Sequence, residues 1–234
     1  MPLINLMLTK EEIKKLAAVQ AMDYVKAGMT IGVGTGSTVY WFIRELAKKV
    51  KEGMHCTCVP TSNATNKLAM EEGITMVGLN DVEKIDVTID GADEIDHSLQ
   101  LIKGGGGALL QEKMVAAASD KLVIIADNAK LVEQLGHFPL PVEVVPFGWK
   151  QVQRHISAQY QIPSAIRVKE EKIFVTDHGH YILDCHFSAI TDPAALAVQL
   201  NTIPGVVENG LFIQMADVAI IAQPDGSIQT LGAK

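Results

Sequence analysis

The sequence predicts an α/β protein: a mainly parallel, doubly wound sheet with a smaller α+β domain inserted late in the chain. Three observations predict it. From Met29 to Asp127, strand-like apolar runs alternate with helix-like segments in the order β-α-β-α-β-β-α-β, the habit of a parallel sheet. Phe138-Pro139-Leu140-Pro141 then breaks regular structure, and a β-α-β-β-α-β series follows, the pattern of a split βαβ, ferredoxin-like unit. Last, Val218-Ala219-Ile220-Ile221 is apolar at every position and reads as a strand returning to the main sheet. The main domain is therefore expected at 1–137 and 211–234, and the small one at 138–210, an insertion of about 70 residues.

The chain has 234 residues, 48% of them hydrophobic, which supports a sizeable core and excludes a disordered chain. A net charge of −7 argues against nucleic-acid or anionic-membrane partners. No apolar run approaches the ~18 residues of a membrane span, and the N-terminal MPLINLMLTKEE lacks the apolar stretch of a signal peptide. Three cysteines make no disulfide framework. Cys56 and Cys58 are read as buried thiols on opposite faces of a strand, in a reducing and hence cytoplasmic compartment.

Taken in order, Thr9 caps a helix from Lys10 to about Lys26, with Glu12 as capping-box partner and Ile13, Leu16, Ala17 and Val25 as its buried stripe. Met29 to Val33 is a strand. The run Gly32-Val33-Gly34-Thr35-Gly36-Ser37-Thr38 and an amphipathic helix to about Val50 follow it. Strand, glycine turn, hydroxyl residues and helix aim backbone N–H groups and a positive helix end at an anion such as phosphate. The run lacks the third glycine of a dinucleotide fingerprint and the Gly-Lys-Ser/Thr of a P-loop. His55 to Val59 is a strand, Thr61-Ser62-Asn63 caps a helix through Glu72, and Ile74 to Leu79 is a further strand.

The strand Ile85 to Ile89 delivers Asp90 to its C-terminal end, the edge where ligands bind in open α/β sheets. A short polar link leads to Lys103 and four glycines, Gly104 to Gly107. The helix Ala108 to Ala118 carries Glu112 near its start, and the strand Leu122 to Ala126 ends on Asp127-Asn128-Ala129-Lys130. In the small domain Val142 to Val145 is a strand and Trp149 to Tyr160 a helix. Ile173 to Thr176 and Tyr181 to His186 form a hairpin, Pro193 to Leu200 a helix and Val206 to Glu208 a strand. Met215 to Ala222 and Ser227 to Thr230 form a closing hairpin turned by Pro224-Asp225-Gly226. His178, His180, Cys185 and His186 have neither tetrahedral Cys/His spacing nor an HExxH pattern, so no metal site is expected.

Neither a Ser-His-Asp order nor a GxSxG elbow is present. The chain offers instead the carboxylates Asp90, Asp93 and Glu112, the cations Lys103 and Lys130, and the anion cradle Thr35 to Thr38. That set suits proton transfer beside a carbonyl in a phosphorylated small molecule.

Four blocks carry a resemblance. Gly34-Thr35-Gly36-Ser37-Thr38, Asp90-Gly91-Ala92-Asp93-Glu94, Lys103-Gly104-Gly105-Gly106 with Glu112-Lys113, and Asp127 to Lys130 are similar, in order and spacing, to the signature blocks of the A-type ribose-5-phosphate isomerases. Pro141-Val142-Glu143-Val144 and Pro204 to Phe212 match as well, so the resemblance covers nearly the whole chain. It implies a Rossmann-like main domain, a small α+β lid domain and a homodimer or dimer of dimers. It also implies metal-independent interconversion of ribose 5-phosphate and ribulose 5-phosphate in the pentose phosphate pathway, with no cofactor. On this resemblance Glu112 is the base, and Asp90, Asp93 and Lys103 surround the sugar hydroxyls and carbonyl. Thr35, Gly36, Ser37, Thr38, Lys14 and Lys130 hold the phosphate, while Asp90, Gly91, Ala92, Asp93, Lys103, Gly104, Gly105 and Gly106 form substrate-contact loops. Gln111, Ala129, His178 and His180 depart from the family's usual residues. Another sugar-phosphate enzyme or an inactive sugar-phosphate sensor on the same scaffold is the competing expectation.

Overall fold

A computed structural model of the chain describes residues 7–232. It divides into two compact units. The first comprises the chain up to Gly91, Val115–Leu131 and Ala216 onwards; the second comprises Ala92–Met114 and Val132–Met215. The second unit therefore begins well before Phe138, because residues 92–114 pair and pack with the later chain. The first six residues of the N-terminal stretch lie outside the described residues.

In the first unit, α1 (Lys10–Ala21) starts on the expected capping box, with Thr9 Oγ1 accepting from the Glu12 N–H and Glu12 Oε2 accepting from the Thr9 N–H. It ends earlier than Lys26, giving way to a 3₁₀ turn over Met22–Tyr24. Then come β1 (Thr30–Val33), α2 (Ser37–Lys51), β2 (Thr57–Pro60) and α3 (Asn63–Glu71), whose cap is Ser62. The expected strand at Ile74 to Leu79 does not form: one parallel bridge, Cys58 to Met76, is followed by a 3₁₀ turn at Leu79–Asp81. β3 is Val87–Asp90.

Further along come β4 (Glu94–Ile95), β5 (Leu101–Ile102), α4 (Leu109–Ala117), β6 (Leu122–Asp127) and β7 (Leu140–Val144). They are followed by α5 (Trp149–Tyr160), β8 (Ser164–Ile166), β9 (Val168–Lys169), β10 (Lys172–Ile173) and β11 (Tyr181–Cys185). The last are α6 (Pro193–Asn201), β12 (Val206–Asn209), β13 (Leu211–Phe212), β14 (Val218–Ala222) and β15 (Ile228–Gly232).

The first unit is built on one six-stranded sheet in the order β15-β14-β6-β3-β1-β2. Every pairing is parallel except the edge hairpin β14–β15. Parallel strands are buried on both faces, which is why β3 and β14 show no polar alternation. On one face Ile31, Val33, Val87, Ile89, Val123, Ile125, Val218 and Ile220 meet Ile13, Ala17, Phe42 and Leu46 of the helices. On the other, Val59 and Ile85 pack with Val115 of α4.

The second unit holds two larger pieces of sheet. β7-α5-β8 and β11-α6-β12 form an antiparallel sheet in the order β12-β7-β11-β8, the ferredoxin-like arrangement expected from the split βαβ pattern. The expected hairpin of Ile173 to Thr176 with Tyr181 to His186 is different in detail. β11 pairs with β7 and β8, and β10 pairs instead with β9 across a turn in which Glu170 and Glu171 both have positive φ. A three-stranded sheet, β13-β5-β4, has no counterpart in the sequence expectation; its outer and middle strands are two residues each.

Cys56 and Cys58 do not point apart. Residues two apart in a strand share a face, and their sulfurs lie 3.7 Å from one another. The hydrogen bond from Cys58 holds the half-buried Cys56 thiol down at about 7, while the Cys58 thiol, engaged by Cys56 and buried, is pushed well up. Iodoacetamide applied to the native protein is expected to label Cys56 ahead of Cys58 and Cys185, with a rate that rises through a midpoint near pH 7. Peptide mapping across a pH series checks this; a midpoint at an ordinary thiol's value overturns the assignment.

Candidate active site

In the first unit, β1 and β3 end side by side and set the loop after β1 against Asp90. Asp90 is fully buried, and its Oδ1 accepts from the backbone N–H groups of Thr35 (3.1 Å) and Gly91 (2.7 Å). A Cβ at Gly34 would stand 2.2 Å from that oxygen, so only glycine lets the loop approach.

The Thr35 hydroxyl lies within 2.8 Å of Thr61 Oγ1 and Ser62 Oγ and 3.1 Å of Thr65 Oγ1. Thr65 Oγ1 in turn donates to the Gly34 carbonyl. This knot of four hydroxyls, worth about 1 kcal/mol per net hydrogen bond, anchors the loop from beneath. Thr35 thus serves the loop's shape. Beyond it, Gly36 and Ser37 are exposed, and α2 begins with no side-chain cap hydrogen bond. The N–H groups of its first turn are an anion-binding feature.

Lys130 closes a 3₁₀ turn that Asp127 caps through the Ala129 N–H. Lys14, also expected at the phosphate, sits on α1 with its ammonium 2.7 Å from Glu11.

In the second unit, the register of β4 against β5 pairs Glu94 with Ile102. The residues just outside the ladder, Asp93 and Lys103, therefore face each other, with the Asp93 N–H bonded to the Ile102 carbonyl at 2.8 Å. Two of the expected site residues, ten apart in sequence, are brought together by a hairpin where the sequence shows only a polar link.

Lys103 Nζ lies 3.0 Å from Glu112 Oε1, with only 2% and 4% of the two residues exposed. The Phe212 ring, 5.5 Å from the Lys103 ammonium, adds a cation–π contact. The Lys103 N–H donates to the Gly210 carbonyl.

The glycine loop lies next to this pair in the chain. Gly105 N–H donates to Asp93 Oδ2 at 2.7 Å, and a Cβ on Gly105 would come within 2.5 Å of Asp93 Oδ1. Gly105 and Gly106 are exposed. Gly91 and Ala92 are half-buried connectors. Glu94 is buried, and its carboxylate accepts from the Gly136 and Phe138 N–H groups.

The block 204–212 proves to be support. Asn209 is fully buried and bonds to Asn201, the Ala197 carbonyl and the Leu211 N–H, while its own carbonyl accepts from Lys113 Nζ at 2.6 Å. Burial pushes the Lys113 ammonium below its ordinary value despite Glu208 at 2.9 Å. His180 Nδ1 lies 3.0 Å from the buried Glu143, which also accepts from Thr176. Among the described residues, no three of His, Cys, Asp and Glu converge as a metal site would require.

Residues 57–226 match the family model of ribose 5-phosphate isomerase A (phosphoriboisomerase A). The chain is 53% identical over 215 residues to ribose-5-phosphate isomerase A of Bacillus cereus, covering 92% of this chain and 97% of that one. To the Rhodopseudomonas palustris protein of that name it is 49% identical over 225 residues, covering 94% and 97%. Among solved structures, ribose 5-phosphate isomerase from Plasmodium falciparum superposes with a TM-score of 0.93 at 39% identity, covering 96% and 99%. A D-ribose-5-phosphate isomerase in complex with phospho-erythronic acid gives 0.92 at 38%, covering 97% and 100%.

On a sheet of this topology, the family model and these relatives define an aldose–ketose isomerase. Within that class, the chain belongs to the ribose 5-phosphate isomerase A family.

Gly34→Ala tests how the loop after β1 is built. A methyl group forced against Asp90 is expected to cost roughly 1–3 kcal/mol, read as a lowered urea midpoint at unchanged slope. An unchanged midpoint would show that the loop does not rest on Asp90.

Proposed function

We propose that Glu112 is the base with which this chain interconverts D-ribose 5-phosphate and D-ribulose 5-phosphate. The observation that carries the reading is the buried pair of Glu112 with Lys103, set where β5 runs into the glycine loop. The reaction moves one proton from C2 to C1 of the open-chain sugar and another between the two oxygens. Glu112 takes the C2 proton, and the electron pair passes through C2–C1 to the aldehyde oxygen, giving an enediolate. Lys103 and the glycine-loop N–H groups stabilise that oxyanion. Glu112 then returns its proton to C1 while the C2 hydroxyl proton passes to the other oxygen, leaving the ketone.

Triosephosphate isomerase gives the same work to a glutamate beside a neutral histidine; here the electrophile is a lysine. Asp93, beside the glycine loop, is assigned the proton transfers between hydroxyls and the opening of the furanose ring. Asp90, whose Oδ1 holds two loop N–H groups, is assigned the shaping of the phosphate loop. The N-terminal turn of α2, with Ser37 and Thr38, and Lys130 take the 5-phosphate. Lys14 contributes in exchange for its contact with Glu11. A relative's complex with phospho-erythronic acid supports this, because a carboxylate next to a carbinol carbon reproduces the planar oxygens of an enediolate. A reducing cytoplasm, consistent with three free thiols, and a homodimer or dimer of dimers complete the reading.

Glu112→Gln keeps the side chain's shape and removes the base. Its kcat for ribose 5-phosphate is expected to fall by about 10²–10⁴, with substrate affinity changed much less; a folded variant that binds substrate and turns over normally sinks the mechanism. Lys130→Ala is expected mainly to raise KM, as for a contact equally strong in ground and transition states. Steady-state kinetics with ribose 5-phosphate checks this, and an unchanged KM would withdraw Lys130 from the phosphate.

A further inference from the structure

Arg167 belongs to none of the blocks that pointed to the reaction, yet it touches the loop on which the reaction depends. We infer that Arg167, gripped by Asp184, is a positioning residue that holds the Gly104–Gly106 loop, and through it Asp93, in the geometry that isomerisation requires. The inference rests on the isomerase reading above and adds to it a residue from the ferredoxin-like sheet.

The geometry is specific. Arg167 sits between β8 and β9 with its backbone fixed, its N–H donating to the Ile182 carbonyl (2.8 Å) and its carbonyl accepting from Phe174 (2.9 Å). Nε and Nη2 engage the two oxygens of Asp184 on β11 as a fork. The remaining nitrogen, Nη1, points at the glycine loop and donates to the Gly104 carbonyl at 2.6 Å and the Gly105 carbonyl at 3.2 Å. The two side chains are only 13% and 22% exposed, so solvent competes weakly for these bonds.

The peptide between Gly104 and Gly105 therefore carries a charged group at each end. Its carbonyl accepts from the guanidinium, and its N–H donates to Asp93 Oδ2 at 2.7 Å. Hydrogen bonds in series polarise one another, so Arg167 strengthens the bond that orients Asp93. The next peptide joins the Gly105 carbonyl, also on Nη1, to the Gly106 N–H, and is polarised in the same sense.

A run of glycines has no side chains with which to hold itself and gains the most entropy on release. Gly104 and Gly107 also adopt positive φ. Fixing such a loop needs anchors from outside it, and Arg167 and Asp93 supply one on each side. A simple structural salt bridge would need only the fork with Asp184; the third nitrogen on two loop carbonyls is what an additional positioning role explains.

The test compares wild type, Arg167→Ala, Arg167→Lys and Asp184→Asn for turnover of ribose 5-phosphate, with thermal midpoints alongside. Arg167→Ala is expected to lose about 10²-fold in kcat, the scale of a small misplacement of catalytic groups, with KM nearly unchanged. Guanidinium ion, well below unfolding concentrations, should restore part of that kcat and leave wild type unaffected. Arg167→Lys should recover less than arginine, because one ammonium cannot hold the fork and both carbonyls. Should Arg167→Ala fail to fold, Asp184→Asn carries the test, with a fall in kcat expected at retained KM.

Normal kcat in folded variants overturns the inference. So does a kcat that falls only in step with stability and is not rescued by guanidinium. If wild type does not isomerise ribose 5-phosphate, or Glu112→Gln is fully active, the reading beneath it fails instead, and the two failures are told apart.

Discussion

The part of the second unit built on β5, α4 and β13 is arranged around one costly interaction, the ion pair of Lys103 and Glu112 in the interior. Removing two charges from water costs several kcal/mol each, and their attraction offsets this only when the geometry is good and the remaining polar atoms are served. The surroundings of the pair supply that support on the lysine side. Phe212 presents its ring to both Lys103 and Lys113. Lys113 is tied to Glu208 and to the Asn209 carbonyl, and Asn209 is bound in turn to α6 and to β13. The Asn209-Gly210 turn supplies the carbonyl that fixes the backbone of Lys103. A Cβ at Gly210 would lie 2.3 Å from the Lys103 carbonyl oxygen, so the approach itself requires glycine. Losing one member of such a pair would leave the other charged and buried, at a cost of roughly 3–5 kcal/mol. The same constraint that makes the pair expensive makes it a fixed charge in a dry place, which is the condition for strong electrostatic stabilisation of an enediolate.

The phosphate-side loop solves the opposite problem. Under the proposed function it presents N–H groups to an anion while staying ordered without one. Asp90 and the hydroxyl knot of Thr35, Thr61, Ser62 and Thr65 do this by binding the loop where it leaves β1. The turn at Gly36 and Ser37 stays exposed, where the proposed function places the phosphate. This resolves how a chain with a net charge of −7 can bind a sugar phosphate. Under the proposed function, attraction comes from backbone dipoles and a nearby cation within about one Debye length, not from the sum over the surface.

Much of this was legible in the residues, and what was not has physical reasons. The parallel sheet was readable because strands buried on both faces are continuous apolar runs, as in Leu122–Asp127 and Val218–Ala222. The capping box at Thr9 and the turn at Asp225 were readable because they are local. The facing of Asp93 and Lys103 was not, because strands of two residues carry no periodicity; Asp96, which accepts from the Ser98 and Gln100 N–H groups, is a local sign of that hairpin. Ile74 to Leu79 looked like a strand by composition, but only Met76 forms a bridge to a neighbouring strand. Residue type points Thr35 at the phosphate, whereas its hydroxyl is turned inward by partners 26–30 residues away. Arg167 had no local signal at all, since its partners lie 17 and 63 residues off.

The three-stranded sheet that carries Asp93 and Lys103 is too small to stand alone, since even a two-stranded hairpin of ordinary length is marginal in water. Its stability is borrowed from groups that reach in from elsewhere in the unit. Glu94 ties β4 to the backbone of Gly136 and Phe138, Val132 bonds to the Ile95 carbonyl, and Arg167 takes the carbonyls after Lys103. Each of these is a charged or backbone group reaching a backbone, so each fixes direction as well as distance. That explains why the ferredoxin-like sheet belongs to the same compact unit as Glu112, the proposed base: Arg167 and Asp184 stand on its β8 and β11 side, on a rigid antiparallel ladder. Short strands keep the proposed reacting groups at their ends, where side chains and N–H groups are available, and the larger sheet supplies the rigidity that strands so short cannot.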